Sequence, residues 1–156
     1  MARGSCQRTI QVHPTRRCNL SCKHCYSSSG PGATESLSFD LLREVLSDAK
    51  AEGYHTLSVS GGEPLLYPEL EEVLDWARTL GMRITLTSNG MLLHQRGIVR
   101  LADRVDLLAI SLDGVPESHD RIRCLQGAFE RMRANLELVR AANVPFAFMF
   151  TLTRIK

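Results

Sequence analysis

The chain has 156 residues, 44% hydrophobic and 23% charged, a globular composition that excludes a disordered, collagen-like or coiled-coil polypeptide. With 19 basic against 17 acidic side chains the net charge is +2, which gives no electrostatic case for nucleic acid as the main partner, and no DNA partner is expected. No apolar run reaches the roughly 18 residues of a membrane span, and the polar stretch from Met1 to Thr9 lacks the apolar segment of a secretory signal. The expectation is one soluble, cytoplasmic domain over residues 1–156, without a membrane partner.

Two periods alternate along the chain. Thr9 to His13 alternates like a short strand. Ser38 is suited to cap a helix with the apolar stripe Phe39, Leu42, Val45, Leu46 and Ala49, and Gly53 to stop it. Thr56 to Ser60 reads as a second strand. Pro68 fits the first turn of a second helix carrying Leu70, Val73, Leu74, Ala77 and Leu80, ended by Gly81. Arg83 to Thr87 gives a third strand, residues 92–102 a weaker helix, and Val105 to Ser111 a fourth strand. A long helix over residues 128–142 carries Phe129, Met132, Leu136 and Val139, and Pro145 to Thr153 reads as strand five.

This alternation implies an α/β fold with a parallel sheet and right-handed crossovers. Phe146, Phe148 and Phe150 share one face of strand five, and Ala147 and Met149 the other, as in a strand covered on both sides. Two architectures remain open, a doubly wound sheet and part of a barrel. A full eight-unit barrel needs roughly 250 residues, so this chain covers little more than half of one. With no helix after it, strand five is expected to be an apolar edge that invites self-association or a completing chain.

Cys18, Cys22 and Cys25 crowd the loop after strand one, at the strand ends where such folds keep their active sites. A structural zinc site needs four ligands and would have to borrow His24, His13 or a distant cysteine. An iron–sulfur cluster normally takes four thiolates, so three would leave one iron open. Ser60-Gly61-Gly62-Glu63-Pro64 follows strand two, where glycines let backbone approach a ligand and Glu63 offers an acceptor to an ammonium group. Ser88-Asn89-Gly90 and Ser111-Leu112-Asp113-Gly114 follow strands three and four and pass singly as turn chemistry. Together they bring glycine, hydroxyl and thiol groups to one edge of the sheet.

The Cys-x3-Cys-x2-Cys loop, the Gly-Gly-Glu-Pro turn, the Ser-Asn-Gly and the Ser-Leu-Asp-Gly, in this order, resemble a radical S-adenosylmethionine enzyme. The resemblance is to the peptide- and cofactor-maturing branch that often carries a SPASM or twitch extension. It implies a partial (β/α)6, TIM-like barrel, of which this chain would supply five parallel strands, truncated at the C-terminus. Cys18, Cys22 and Cys25 would ligate a [4Fe-4S] cluster whose open iron chelates the methionine part of S-adenosylmethionine. Ser60, Gly61, Gly62 and Glu63 would hold the methionine ammonium, and Ser111 and Arg123 its carboxylate or the ribose. Ser88 and Asn89 would line the nucleoside, with the His24 backbone near the adenine.

The implied reaction is reductive cleavage of the cofactor to a 5′-deoxyadenosyl radical that abstracts hydrogen. The substrate would be a ribosomally made peptide or a peptide-derived cofactor, or else a tetrapyrrole or other small metabolite, with reduced flavodoxin or ferredoxin as electron donor. The rivals are a non-catalytic module that binds cluster or cofactor, and a zinc-stabilised binding domain. Where the family usually has Arg-Gly, this chain has Arg123-Cys124, and cysteine takes positive φ at greater cost than glycine.

Overall fold

Five strands, β1 (Arg8–Val12), β2 (Tyr54–Val59), β3 (Arg83–Ser88), β4 (Leu107–Ser111) and β5 (Phe146–Met149), pair in parallel in the order 1-2-3-4-5. A doubly wound sheet reverses its strand order at a switch point, whereas this order never reverses. With right-handed crossovers, an unreversed order keeps the connecting helices on one face and gives the wall of a barrel. The helices are α1 (Phe39–Ala51), α2 (Leu70–Thr79), α3 (Gln95–Leu101), α4 (Pro116–Arg123) and α5 (Ala128–Ala141). This computed structural model describes residues 8–152; Cys6 and the Thr153 expected to end strand five lie outside them.

Alternation along the strands gives the sheet two unlike faces. Leu57, Val59, Ile84, Leu86, Leu108 and Ile110 are fully buried in one cluster with Leu42, Leu46, Leu70 and Leu74 of the helices. Each such side chain contributes about 1.5–3 kcal/mol over leaving it in water. The intervening Gln11, Ser58, Thr87 and Ser111 line a cavity instead. Barrel interiors are usually filled by branched apolar side chains; this one is small and polar.

Local signals explain most boundaries. Ser38 is extended and its hydroxyl accepts the Leu41 N–H at 3.4 Å, so α1 starts where the cap predicts, and Gly53 follows it at φ +82°. Pro68 does not enter α2. The chain first makes a 3-10 turn at Pro64–Leu66, started by the Glu63 carboxylate accepting the Leu65 N–H, and α2 begins at Leu70. The helix expected over residues 92–102 shortens to Gln95–Leu101, with His94 as its extended N-cap residue.

Helix α4 was not foreseen, because Pro-Glu-Ser-His-Asp-Arg-Ile-Arg has no apolar stripe and buries only His119, Ile122 and Arg123. Strand five is shorter than expected, and it is not covered on both faces. Phe148, Met149 and Phe150 are 47%, 49% and 55% exposed, and among the described residues only β4 pairs with β5. No helix among the described residues is long and apolar enough to cross a membrane.

Cys124 ends α4 in the left-handed conformation, φ 55°, with its N–H on the Asp120 carbonyl. That conformation costs an L-residue about 1–2 kcal/mol, part of which glycine returns as unfolded-state entropy. Cys124→Gly is therefore expected to stabilise the chain by about 1 kcal/mol in denaturant unfolding; an unchanged or lower midpoint contradicts a strained C-cap.

Candidate functional site

The carboxyl ends of β1 to β4 open onto a cavity of about 320 Å³. Cys18, Cys22, His24 and Cys25 reach it from the loop after β1, Ser60, Gly61 and Gly62 from the turn after β2, and Ser88 and Asn89 from the turn after β3. Ser111 ends β4 on the same wall, and Arg123 reaches it from the last position of α4. Of the residues that the resemblance assigns to the cluster or the cofactor, Glu63 alone is missing from the wall.

The glycine turn is shaped by its own chain. A Cβ on Gly62 would lie 2.2 Å from the Arg17 carbonyl oxygen, and one on Gly61, at φ +111°, 2.9 Å from that of Thr15. Hydrogen bonds fix the approach, Gly62 N–H to Thr15 O and Glu63 N–H to Arg17 O, both at 2.9 Å. The tightest neighbour of both glycines is thus the backbone of the loop after β1, and both also line the cavity. On its other side that loop is tied to α4 by Lys23 N–H donating to Ile122 O at 2.9 Å.

Glu63 is fully buried behind the wall. Its Oε1 accepts from the Ser88 hydroxyl at 3.0 Å and the Leu65 N–H at 3.3 Å, and its Oε2 from the Asn89 N–H at 2.9 Å. These oxygens join the turns after β2 and β3. Burial pushes its carboxyl up to about 7, against the pull of the donors from Asn89, Leu65 and Ser88 and the charge of Arg123.

Arg123 is not a solvated helix arginine. Its side chain is 9% exposed, with Nε and Nη2 on Asp113 Oδ2 at 2.7 and 2.6 Å and Nη1 3.7 Å from Cys22 Sγ. The remaining N–H bonds of the fork have no partner among the described residues. Asp113, which the sequence shows only as turn chemistry, is fully buried at its side chain and has His24 Nε2 3.4 Å from its other oxygen. His119 accepts the Asp113 N–H at Nδ1, and burial, with Arg123 beside it, lowers its pKa. The signal for this group was Pro116 as a helix start, which places His119 and Arg123 four residues apart on one face.

Cys18, Cys22 and Cys25 are unpaired and part-buried. Burial raises the Cys18 and Cys22 thiols. At Cys25 burial also acts upward, but hydrogen bonds from Ser27, Ser29 and Ser28 together outweigh it and lower the pKa. Asn89 Nδ2 lies 3.7 Å from Cys18 Sγ, so each thiol has a donor suited to a thiolate. Among the described residues no three His, Cys, Asp or Glu side chains close on a single metal ion. Three free thiols on one cavity wall, each with its own donor, suit a polynuclear cluster.

The Radical SAM superfamily model matches residues 12–155. The chain belongs to the radical SAM superfamily. That family uses a [4Fe-4S] cluster and S-adenosylmethionine. An AdoMet-dependent heme synthase of Methanosarcina barkeri is 35% identical over 99% of this chain and 45% of its own length. The sporulation killing factor maturation protein SkfB of Bacillus subtilis is 30% identical over 92% of this chain and 35% of its own. This radical SAM chain thus spans less than half the length of these relatives. In fold it is similar to Streptococcus suis SuiB bound to S-adenosylmethionine, with TM-score 0.79, 18% identity, and 95% of this chain matched to 35% of that one.

Because the folded chain holds the Glu63 proton more tightly than the unfolded chain, this group's contribution to stability is complete below about pH 4.5. It falls as the pH rises and levels off above about 7. Glu63→Gln is expected to flatten that part of the stability–pH curve in denaturant titrations between these values; parallel curves for parent and variant contradict it.

Proposed function

We propose that this chain is the cofactor-cleaving part of a radical SAM enzyme that matures a ribosomally made peptide or a peptide-derived cofactor. The supporting observation is that Cys18, Cys22 and Cys25 share one cavity wall with the glycine turn and Arg123. The three thiolates would hold a [4Fe-4S] cluster, leaving one iron for the methionine part of S-adenosylmethionine. When reduced, such a cluster supplies the electron that splits S-adenosylmethionine into methionine and a 5′-deoxyadenosyl radical, which takes a hydrogen atom from the substrate.

The chain's own residues bind and orient. Ser60 and the Gly61–Gly62 backbone would accept from the ammonium group. Asp113 grips one edge of Arg123 and leaves the rest of the guanidinium to donate to the carboxylate. Ser111, Asn89 and the His24 backbone would line the nucleoside. Ser88 contributes backbone only, its hydroxyl being committed to Glu63. A reduced flavodoxin or ferredoxin in the cytoplasm would deliver the electron.

Neutral hydrogen-bonding groups on the inner wall, Gln11, Ser58 and Thr87, suit the amides of a peptide. The second reading, a tetrapyrrole substrate, is favoured by the heme synthase at 35% identity. Supply of each substrate class with measurement of its consumption separates the two.

Anaerobic reconstitution is expected to give close to four irons and four sulfides per chain. Cys18→Ala, Cys22→Ala and Cys25→Ala should abolish the cluster, while Cys6→Ala and Cys124→Ala keep it. Arg123→Ala should weaken S-adenosylmethionine binding about ten- to a hundredfold, the cost of a charge-assisted hydrogen bond. Cluster loss in Cys124→Ala, or full-strength binding by Arg123→Ala, contradicts these assignments.

A further inference from the structure

The three thiols receive different donors. Cys25 takes the Ser29 N–H and faces the Ser27 hydroxyl, both at 3.4 Å and both from its own loop. Cys18 and Cys22 are met by side chains from distant elements, Asn89 Nδ2 and Arg123 Nη1, each 3.7 Å from sulfur. Both donors are anchored by buried carboxylates. Glu63 Oε2 accepts the Asn89 backbone N–H at 2.9 Å, and Asp113 Oδ2 accepts Arg123 Nε at 2.7 Å. Asn89 is further pinned by its Oδ1 on the Met91 N–H and its Nδ2 on Asn19 Oδ1, both at 2.9 Å. Neither donor can swing away without leaving a buried partner unpaired.

We propose that Asn89 and Arg123 are positioning residues that set the reduction potential of the cluster through N–H···S hydrogen bonds to Cys18 and Cys22, with Glu63 and Asp113 fixing the donors. The proposal rests on the reading that these thiols hold the cluster. An added electron makes the ligating sulfurs more negative, so a fixed donor stabilises the reduced state more than the oxidised one and raises the potential. The Asp113 charge offsets that of Arg123, so that pair acts mainly through its aimed N–H bond.

The test is a redox titration, followed by electron paramagnetic resonance, of the anaerobically reconstituted chain without S-adenosylmethionine, alongside iron counts and circular dichroism. Asn89→Leu removes the donor without adding charge, and Asn89→Asp removes it while keeping an acceptor for Met91. Arg123→Lys keeps the charge but loses the fork. Each is expected to shift the reduction equilibrium about tenfold toward the oxidised form, a potential about 59 mV lower for a one-electron couple. Thr87→Val, on the same wall without a donor to sulfur, should leave the potential in place.

An unchanged potential at full iron content overturns the proposal, as does a fall confined to Asn89→Asp, which assigns the effect to charge. An equal fall in Thr87→Val also overturns it. A variant that keeps its fold but binds no iron assigns its donor to assembly and overturns the proposal for that donor. Absence of iron in the parent chain overturns the cluster reading itself, whereas iron with an unmoved potential overturns only the tuning.

Discussion

Gly62 passes so close to the loop after β1 that a Cβ would lie 2.2 Å from the Arg17 carbonyl oxygen, and backbone cannot give way cheaply at that distance. Around this contact the strand-end turns close into a ring. The turn after β2 is bonded to Thr15 and Arg17, and its Glu63 reaches Ser88 and Asn89 after β3. Asn89 then returns to Asn19 and Cys18 in the first loop. From the other side, Ile122 and Arg123 hold Lys23 and Cys22. The positions of the three thiols follow from contacts made by residues that are not thiols.

Burying two carboxylates opposes folding, and the way each is compensated differs. Asp113 has a full ion pair with Arg123, so its charge is matched locally. Glu63 is hydrogen-bonded only to dipoles, two backbone N–H groups and a hydroxyl, with the Arg123 charge acting from farther off, and its raised pKa reflects that incomplete compensation. Natural chains carry such groups at functional sites, where strict donor placement matters more than stability. The hydroxyl-lined inner face follows the same pattern, because filling it with branched apolar side chains would add stability and remove the cavity.

Much of this was legible in the sequence because it depends on local chemistry. The caps at Ser38 and Gly53 and the period-two strands required nothing beyond neighbouring residues. The joint position of the strand-end turns followed from the topology that those periods imply. What escaped was tertiary. The polar helix α4 has no stripe to read, and Asp113 acquires its role only when Arg123 folds back onto it. Glu63 was legible as a candidate site residue but not as buried, since the direction of a side chain at a turn depends on where the next turn lies.

The central claim is that the three-cysteine loop holds a cluster with one iron open to S-adenosylmethionine. Electron paramagnetic resonance of the reduced, reconstituted chain before and after adding S-adenosylmethionine tests it most directly. Binding at the open iron is expected to change the shape and g-values of the signal, and the change should weaken in Arg123→Ala. A signal that saturating S-adenosylmethionine leaves unaltered contradicts the claim.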